Sequence, residues 1–145
     1  DAHGRPFLRE RADLAVSVAR TAGLVAVAVS DAAGVGVDVE RPDAPNADLA
    51  GVVRHPEEPA DTDPLRLWVR KEALLKAVGA GLSVDPRTVL LRGREVLGLP
   101  PPYGGADVVL EDLDLDAAVL ASVAVLGAER PAVSLVPVAR AAPAG

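Results

Sequence analysis

Residues 63–81 read DPLRLWVRKEALLKAVGAG, and residues 34–40 read GVGVDVE. The first stretch carries its own start and stop. Asp63 is a good N-cap residue, and Pro64 suits the first helical position, where a missing N–H costs nothing. Gly79 and Gly81 supply the stop. The spacing predicts a helix from 64 to about 78. The second stretch alternates, with Val35, Val37 and Val39 on one strand face and Gly36, Asp38 and Glu40 on the other.

Working outward, LAVSVA (14–19) and GLVAVAVS (23–30) read as two short strands joined around Arg20-Thr21-Ala22. Residues 41–63 carry four prolines and many acids, which predicts a loop with a short helix at 46–53. TVLLR (88–92), DVVL (107–110), VLASVAVL (119–126) and AVSLVPV (132–138) are further strand candidates, interrupted by LPPPYGG at 99–105. No internal repeat divides the 145 residues, so a single domain over 1–145 is expected, with 139–145 as a frayed tail.

Composition narrows the function. Aromatics make up 2% of the chain, so the core must be built from Val, Leu and Ala. A net charge of −6 argues against a general nucleic-acid or anionic-membrane binder. There is no cysteine, hence no disulfide and no thiol nucleophile, and His3 and His55 are too few for the usual zinc site. They read as surface residues. No signal pattern or bilayer-length apolar run is present, so a cytoplasmic protein is expected. The chain opens at Asp1 and contains no methionine, from which a portion of a longer polypeptide is expected.

The lysines carry a further signal. Lys71 and Lys76 are the only two in a chain that otherwise uses arginine for positive charge. Two exceptions five residues apart mark places where a compact ammonium is wanted rather than a planar fork. Trp68, Glu72 and Lys76 sit at i, i+4 and i+8 and share a helix face, while Lys71 lies about 100° to one side. The plain alternative is a surface Glu72–Lys76 pair worth ~0.3–0.5 kcal/mol, with Trp68 in the core. Asp38 and Glu40, two apart on a strand, stand roughly 6.5–7 Å apart. Their repulsion is about 2 kcal/mol at an effective dielectric of about 20 and nearly vanishes in open water. Partly enclosed, such a pair calls for a cation, and two hard oxygens with room for water and phosphate suit Mg²⁺. Fully exposed, it is a wet acidic strand face. Arg5, on a stiff Gly-Arg-Pro turn, and Arg20 are each able to clamp a phosphate. No Ser/His/Asp arrangement and no P-loop sequence is present.

The order GRP-FL, SVARTAGLVAVAV, GVGVDVE, WVRKEALLKAVGAGL resembles the 4′-phosphopantetheinyl transferases, in particular the two-lobed class that serves polyketide and nonribosomal peptide synthases. That family's G-[IV]-D-[IV]-E and W-x-x-K-E-A-x-x-K-x-x-G patterns match in full over Gly36–Glu40 and Trp68–Gly79. The resemblance implies an α+β lobe in which an antiparallel β-sheet packs against the long helix. Residues 1–33 resemble the end of a first lobe and 34–138 the second. It implies transfer of 4′-phosphopantetheine from coenzyme A to a serine of an apo acyl or peptidyl carrier protein, with release of 3′,5′-ADP. By the same resemblance Asp38, Glu40 and Glu72 correspond to the Mg²⁺ carboxylates. Glu72 or a metal-bound water corresponds to the proton acceptor, and Lys76 to the group assisting departure of 3′,5′-ADP. Lys71 corresponds to a pyrophosphate contact, Arg5 to the reader of the 3′-phosphate, and Arg20 to a further phosphate contact. The sequence departs from the family's N-x-S-H-S segment, which reads SVART here, with Ser17, Ala19 and Arg20 in place of Asn, Ser and His. Much of the first lobe does not precede the GRP turn, so a homo-oligomer or a longer polypeptide is expected. The alternative is a non-catalytic remnant that binds a carrier protein or coenzyme A, and a third reading is an unrelated Mg²⁺-dependent phosphate binder.

Overall fold

The computed structural model describes residues 5–43 and 48–138. Its organising element is the long helix, α2 (Pro64–Val78), with a short α1 (Leu49–Val53) ahead of it. Asp63 accepts a hydrogen bond from the Leu65 N–H, Pro64 opens the helix, and Gly79 closes it in the left-handed conformation at φ 75°. A residue with a Cβ would be strained there. The expected boundaries of the long helix therefore hold.

Seven strands are described: β1 (Ala15–Thr21), β2 (Leu24–Ser30), β3 (Val35–Glu40), β4 (Leu90–Arg92), β5 (Glu95–Gly98), β6 (Val108–Leu113) and β7 (Leu120–Leu126). β3, β7 and β6 form an antiparallel sheet in that order, while β1–β2 and β4–β5 are antiparallel hairpins. The α+β architecture, an antiparallel sheet packed against one long helix, is the one expected.

Four details differ from the sequence reading. Arg20 and Thr21 belong to β1 rather than to the connection, because Thr21 pairs with Leu24 and the turn tightens onto Gly23 at φ 76°. The first helix starts at Leu49. EVLG forms β5, a four-residue strand too short to show an alternating pattern. AVSLVPV forms no strand, and its Val136 and Val138 are exposed. His3 and the expected tail lie outside the described residues. No described helix is long and apolar enough to cross a membrane.

The sheet is covered on both faces, which fixes the site. Val37 and Val39 pack with Ala19, Val119 and Ala121, and with Leu24, Ala26 and Ala28 of β2. The other face lies against α2, where Leu74, Leu75 and Ala77 join Leu110, Ala124, Val53 and Leu91. β3 meets α2 closely. A Cβ on Gly36 would stand 1.9 Å from the Ala73 carbonyl oxygen, and one on Gly34 2.3 Å from that of Ala77. The two glycines of GVGVDVE are thus there to let the helix down onto the strand. That contact carries the Asp38 and Glu40 side of β3 under the helix.

Candidate functional site

The helix face that bears Trp68, Glu72 and Lys76 lies over Asp38 and Glu40. Lys76 Nζ donates to Asp38 Oδ1 at 3.0 Å and to the Val37 carbonyl at 3.0 Å. The Asp38 side chain is 10% exposed, so the wet-face alternative does not describe it. Burial, the largest influence, pushes the Asp38 carboxyl up to about 6. The Lys76 ammonium opposes that rise, and the nearby Glu72 charge adds to it. Glu40 is raised by burial and by the charge on Asp38, while the Trp68 indole N–H favours its ionised form. Glu72 is raised by burial and then by Glu40, with Lys76 acting against both. Each carboxylate of the three therefore feels another, and one ammonium serves them all.

Asp38 Oδ2 is buried and has no hydrogen-bond partner among the described residues. Such an oxygen loses its water without compensation, at a cost of roughly 1–3 kcal/mol or more for a charged group. Three mutually repelling carboxylates with an orphaned oxygen are a donor set of the kind that hard divalent cations take, the remaining ligand positions going to water and phosphate. Among the described residues no group of three or more His, Cys, Asp or Glu side chains stands ready-made to hold a metal ion. The orphaned Asp38 oxygen, not a preformed cage, is what favours a cation here.

Beside this face lies a cleft of about 380 Å³ lined by Arg5, Pro6, Val16, Ser17, Val18, Val35, Lys76, Val78, Gly79 and Gly81. Arg5 crosses the helix end. Its Nη2 donates to the Lys76 carbonyl at 3.1 Å and to that of Ala77 at 2.7 Å. A cation at the C-terminus of a helix is favoured by the exposed carbonyls there. Lys76 and Arg5 thus put two positive charges on one cleft.

The structure separates the other two basic candidates from this cleft. Arg20 follows Val16 and Val18 on the same face of β1 but is exposed and does not line the cleft. Lys71 is fully buried on another side of α2, with Nζ 2.9 Å from Glu58 Oε2 and 2.8 Å from the Val53 carbonyl. Burial lowers its pKa, and Glu58 opposes the shift. An ammonium so enclosed is not presented to a pyrophosphate, and the role expected for it is corrected accordingly. Its scarcity signal was real but meant something else: a compact cation was needed in a tight internal pocket.

Several contacts of the arrangement escaped the sequence reading. Ser17 Oγ accepts the Val37 N–H at 3.1 Å and ties β1 to β3 beside Asp38. Ser122 pairs with Asp38 across β3–β7 and with Asp112 across β7–β6, so the three stand in one row beneath α2. Ser122 Oγ lies 2.9 Å from Asp112 Oδ1, and Arg70 grips the same carboxylate through Nε at 3.0 Å and Nη2 at 2.6 Å. Hydrogen bonds and charge from the arginines outweigh burial and hold Asp112 below the usual carboxylate range. The only available signal for this row was strand register, which a single sequence does not fix.

Residues 34–97 match a family model described as the 4′-phosphopantetheinyl transferase superfamily. The matched segment, a little under half of the chain, runs from β3 through α2 to β5 and contains Asp38, Glu40, Glu72 and Lys76. No curated protein matches the chain.

Proposed function

We infer from the match over residues 34–97 that the protein is a 4′-phosphopantetheinyl transferase superfamily member. From that premise we propose that the protein transfers the 4′-phosphopantetheine group of coenzyme A to a serine of an apo acyl or peptidyl carrier protein. The observation that carries the reading is the pairing of a buried, cation-hungry Asp38 with Lys76 at the mouth of a two-cation cleft.

In this reading Asp38, Glu40 and Glu72 hold Mg²⁺. The bound ion would supply charge neutralisation for a pyrophosphate and its departing oxygen. The chain's own residues do the rest. Arg5 and Lys76 hold the phosphates of coenzyme A in the cleft. The serine oxygen forms a bond to the β-phosphorus while the bond from that phosphorus to the bridging oxygen breaks, and the leaving group is 3′,5′-ADP. Glu72, whose raised pKa makes it a better proton acceptor than an ordinary glutamate, takes the serine proton. Lys76 balances the charge that grows on the departing phosphate.

The direct test is release of 3′,5′-ADP from coenzyme A, followed chromatographically with Mg²⁺ and an apo carrier protein. Release is expected to require all three and to be lost in Asp38→Ala and Glu72→Gln. Release from Asp38→Ala at the wild-type rate would remove the metal assignment.

A further inference from the structure

Lys76 occupies a place that two ligands of the site would both want to change. Its ammonium rests on Asp38 Oδ1, the carboxylate with the most pressing need of a cation, and its side chain also lines the cleft. An ammonium 3.0 Å from Asp38 Oδ1 and a divalent cation on the neighbouring Oδ2 would repel each other as like charges at close range. The divalent ion carries twice the charge and prefers oxygen ligands, so the lysine is the partner that gives way. It keeps a second acceptor in the Val37 carbonyl, its stem has four rotatable carbons, and 30% of the side chain is already exposed. The direction left to it is the cleft, which it shares with Arg5, bonded to the carbonyls at the helix end.

We propose that Lys76 is an exchangeable counter-ion: a divalent cation entering at Asp38 displaces the ammonium, which turns into the cleft and becomes a phosphate contact only then. The exchange rests on the metal reading above and deepens it. It makes cation and phosphate binding mutually dependent, and the coupling is reciprocal by linkage, so each ligand strengthens the other by one factor. It also explains why position 76 is lysine in an arginine-rich chain. A planar fork seated on Asp38 would make two directed bonds and would be harder to displace.

The scarcity of lysine gives a clean readout. Labelling lysine with carbon-13 at Cε yields two signals, from Lys71 and Lys76, and the first is a built-in control because it is enclosed with Glu58. In mildly alkaline buffer, titration of the wild-type chain with Mg²⁺ is expected to move the Lys76 signal and leave Lys71 in place. Added 3′,5′-ADP is expected to move Lys76 further only when Mg²⁺ is present. By calorimetry, Lys76→Gln is expected to bind Mg²⁺ about tenfold more tightly than wild type, because a competing charge is gone. Mg²⁺ binding that leaves the Lys76 signal unmoved, or an equal response to 3′,5′-ADP without Mg²⁺, overturns the exchange while sparing the metal reading. Absence of any Mg²⁺ binding overturns both.

Discussion

Lys71→Arg separates the two lysines most sharply. The Lys71 ammonium is walled in by the Val53 carbonyl and Glu58, and Glu58 in turn accepts the backbone N–H groups of His55 and Leu91. One buried carboxylate thus joins the proline-rich loop, α2 and β4. A guanidinium in that space would overpack it, at a cost of roughly 1–3 kcal/mol. Lys71→Ala would leave Glu58 buried and unpaired, at about 3–5 kcal/mol. Urea melts are expected to show both losses, while 3′,5′-ADP release per folded molecule stays near wild type. A stable Lys71→Arg protein with a raised KM for coenzyme A would return this lysine to the phosphates. At this scale the sequence was half legible. Rarity marked both lysines as special, and helical spacing put Lys76 on the Glu72 face. Nothing in the spacing revealed that Lys71 has its acid in a loop thirteen residues upstream, because the partner of a buried ion is chosen by tertiary packing.

The contact between β3 and α2 decides how the three carboxylates respond to pH. In the folded chain Asp38 keeps its proton up to about 6, whereas its ordinary value is 3.8. Between those values the folded state binds more protons than the unfolded one, so stability falls as pH rises through the interval. Glu40 and Glu72 are shifted in the same direction and add to the fall. Asp38→Asn removes the largest contribution. Its melting temperature is expected to exceed wild type at neutral pH, by an amount corresponding to no more than about 3 kcal/mol. The gain is expected to vanish near pH 4, and thermal melts across this range check it. Mg²⁺ in excess should raise the wild-type melting temperature by mass action and leave Asp38→Asn nearly unchanged. A wild-type protein less stable than Asp38→Asn at pH 4 but not at pH 7 would reverse the sign and the argument. The alternation of GVGVDVE told which side chains share a face. The tight approach at Gly36 told nothing in advance, since a glycine in a strand is equally a bulge or a bend until the helix above it is seen.

For the whole molecule, the hairpin β1–β2 leaves a row unspent. Val25, Val27 and Val29 are 61%, 60% and 54% exposed on β2, on the face opposite the one that packs on the sheet. A contiguous apolar row of this kind favours association. We propose that the chain self-associates through it, and light scattering at micromolar concentration is expected to show a species larger than 14.8 kDa that Val27→Lys returns to monomer. A wild-type monomer would contradict this without touching the site. The fold class was readable because helix caps and strand alternation are local signals, and the boundaries of α2 followed from Asp63, Pro64 and Gly79. The pairing order β3–β7–β6, and with it the row Asp38–Ser122–Asp112, was not readable, because register is set by which faces are buried together. AVSLVPV shows the limit from the other side: strand-like composition with no strand partner among the described residues. The claim on which the rest depends is that the Asp38–Lys76 face performs phosphopantetheine transfer. Its most direct test is the intact mass of an apo carrier protein after incubation with the chain, coenzyme A and Mg²⁺. The mass is expected to rise by one phosphopantetheine on the acceptor serine, and to stay unchanged with Asp38→Ala or with chelator present. An unmodified carrier with the folded wild-type chain, across acyl and peptidyl carriers alike, would contradict the account.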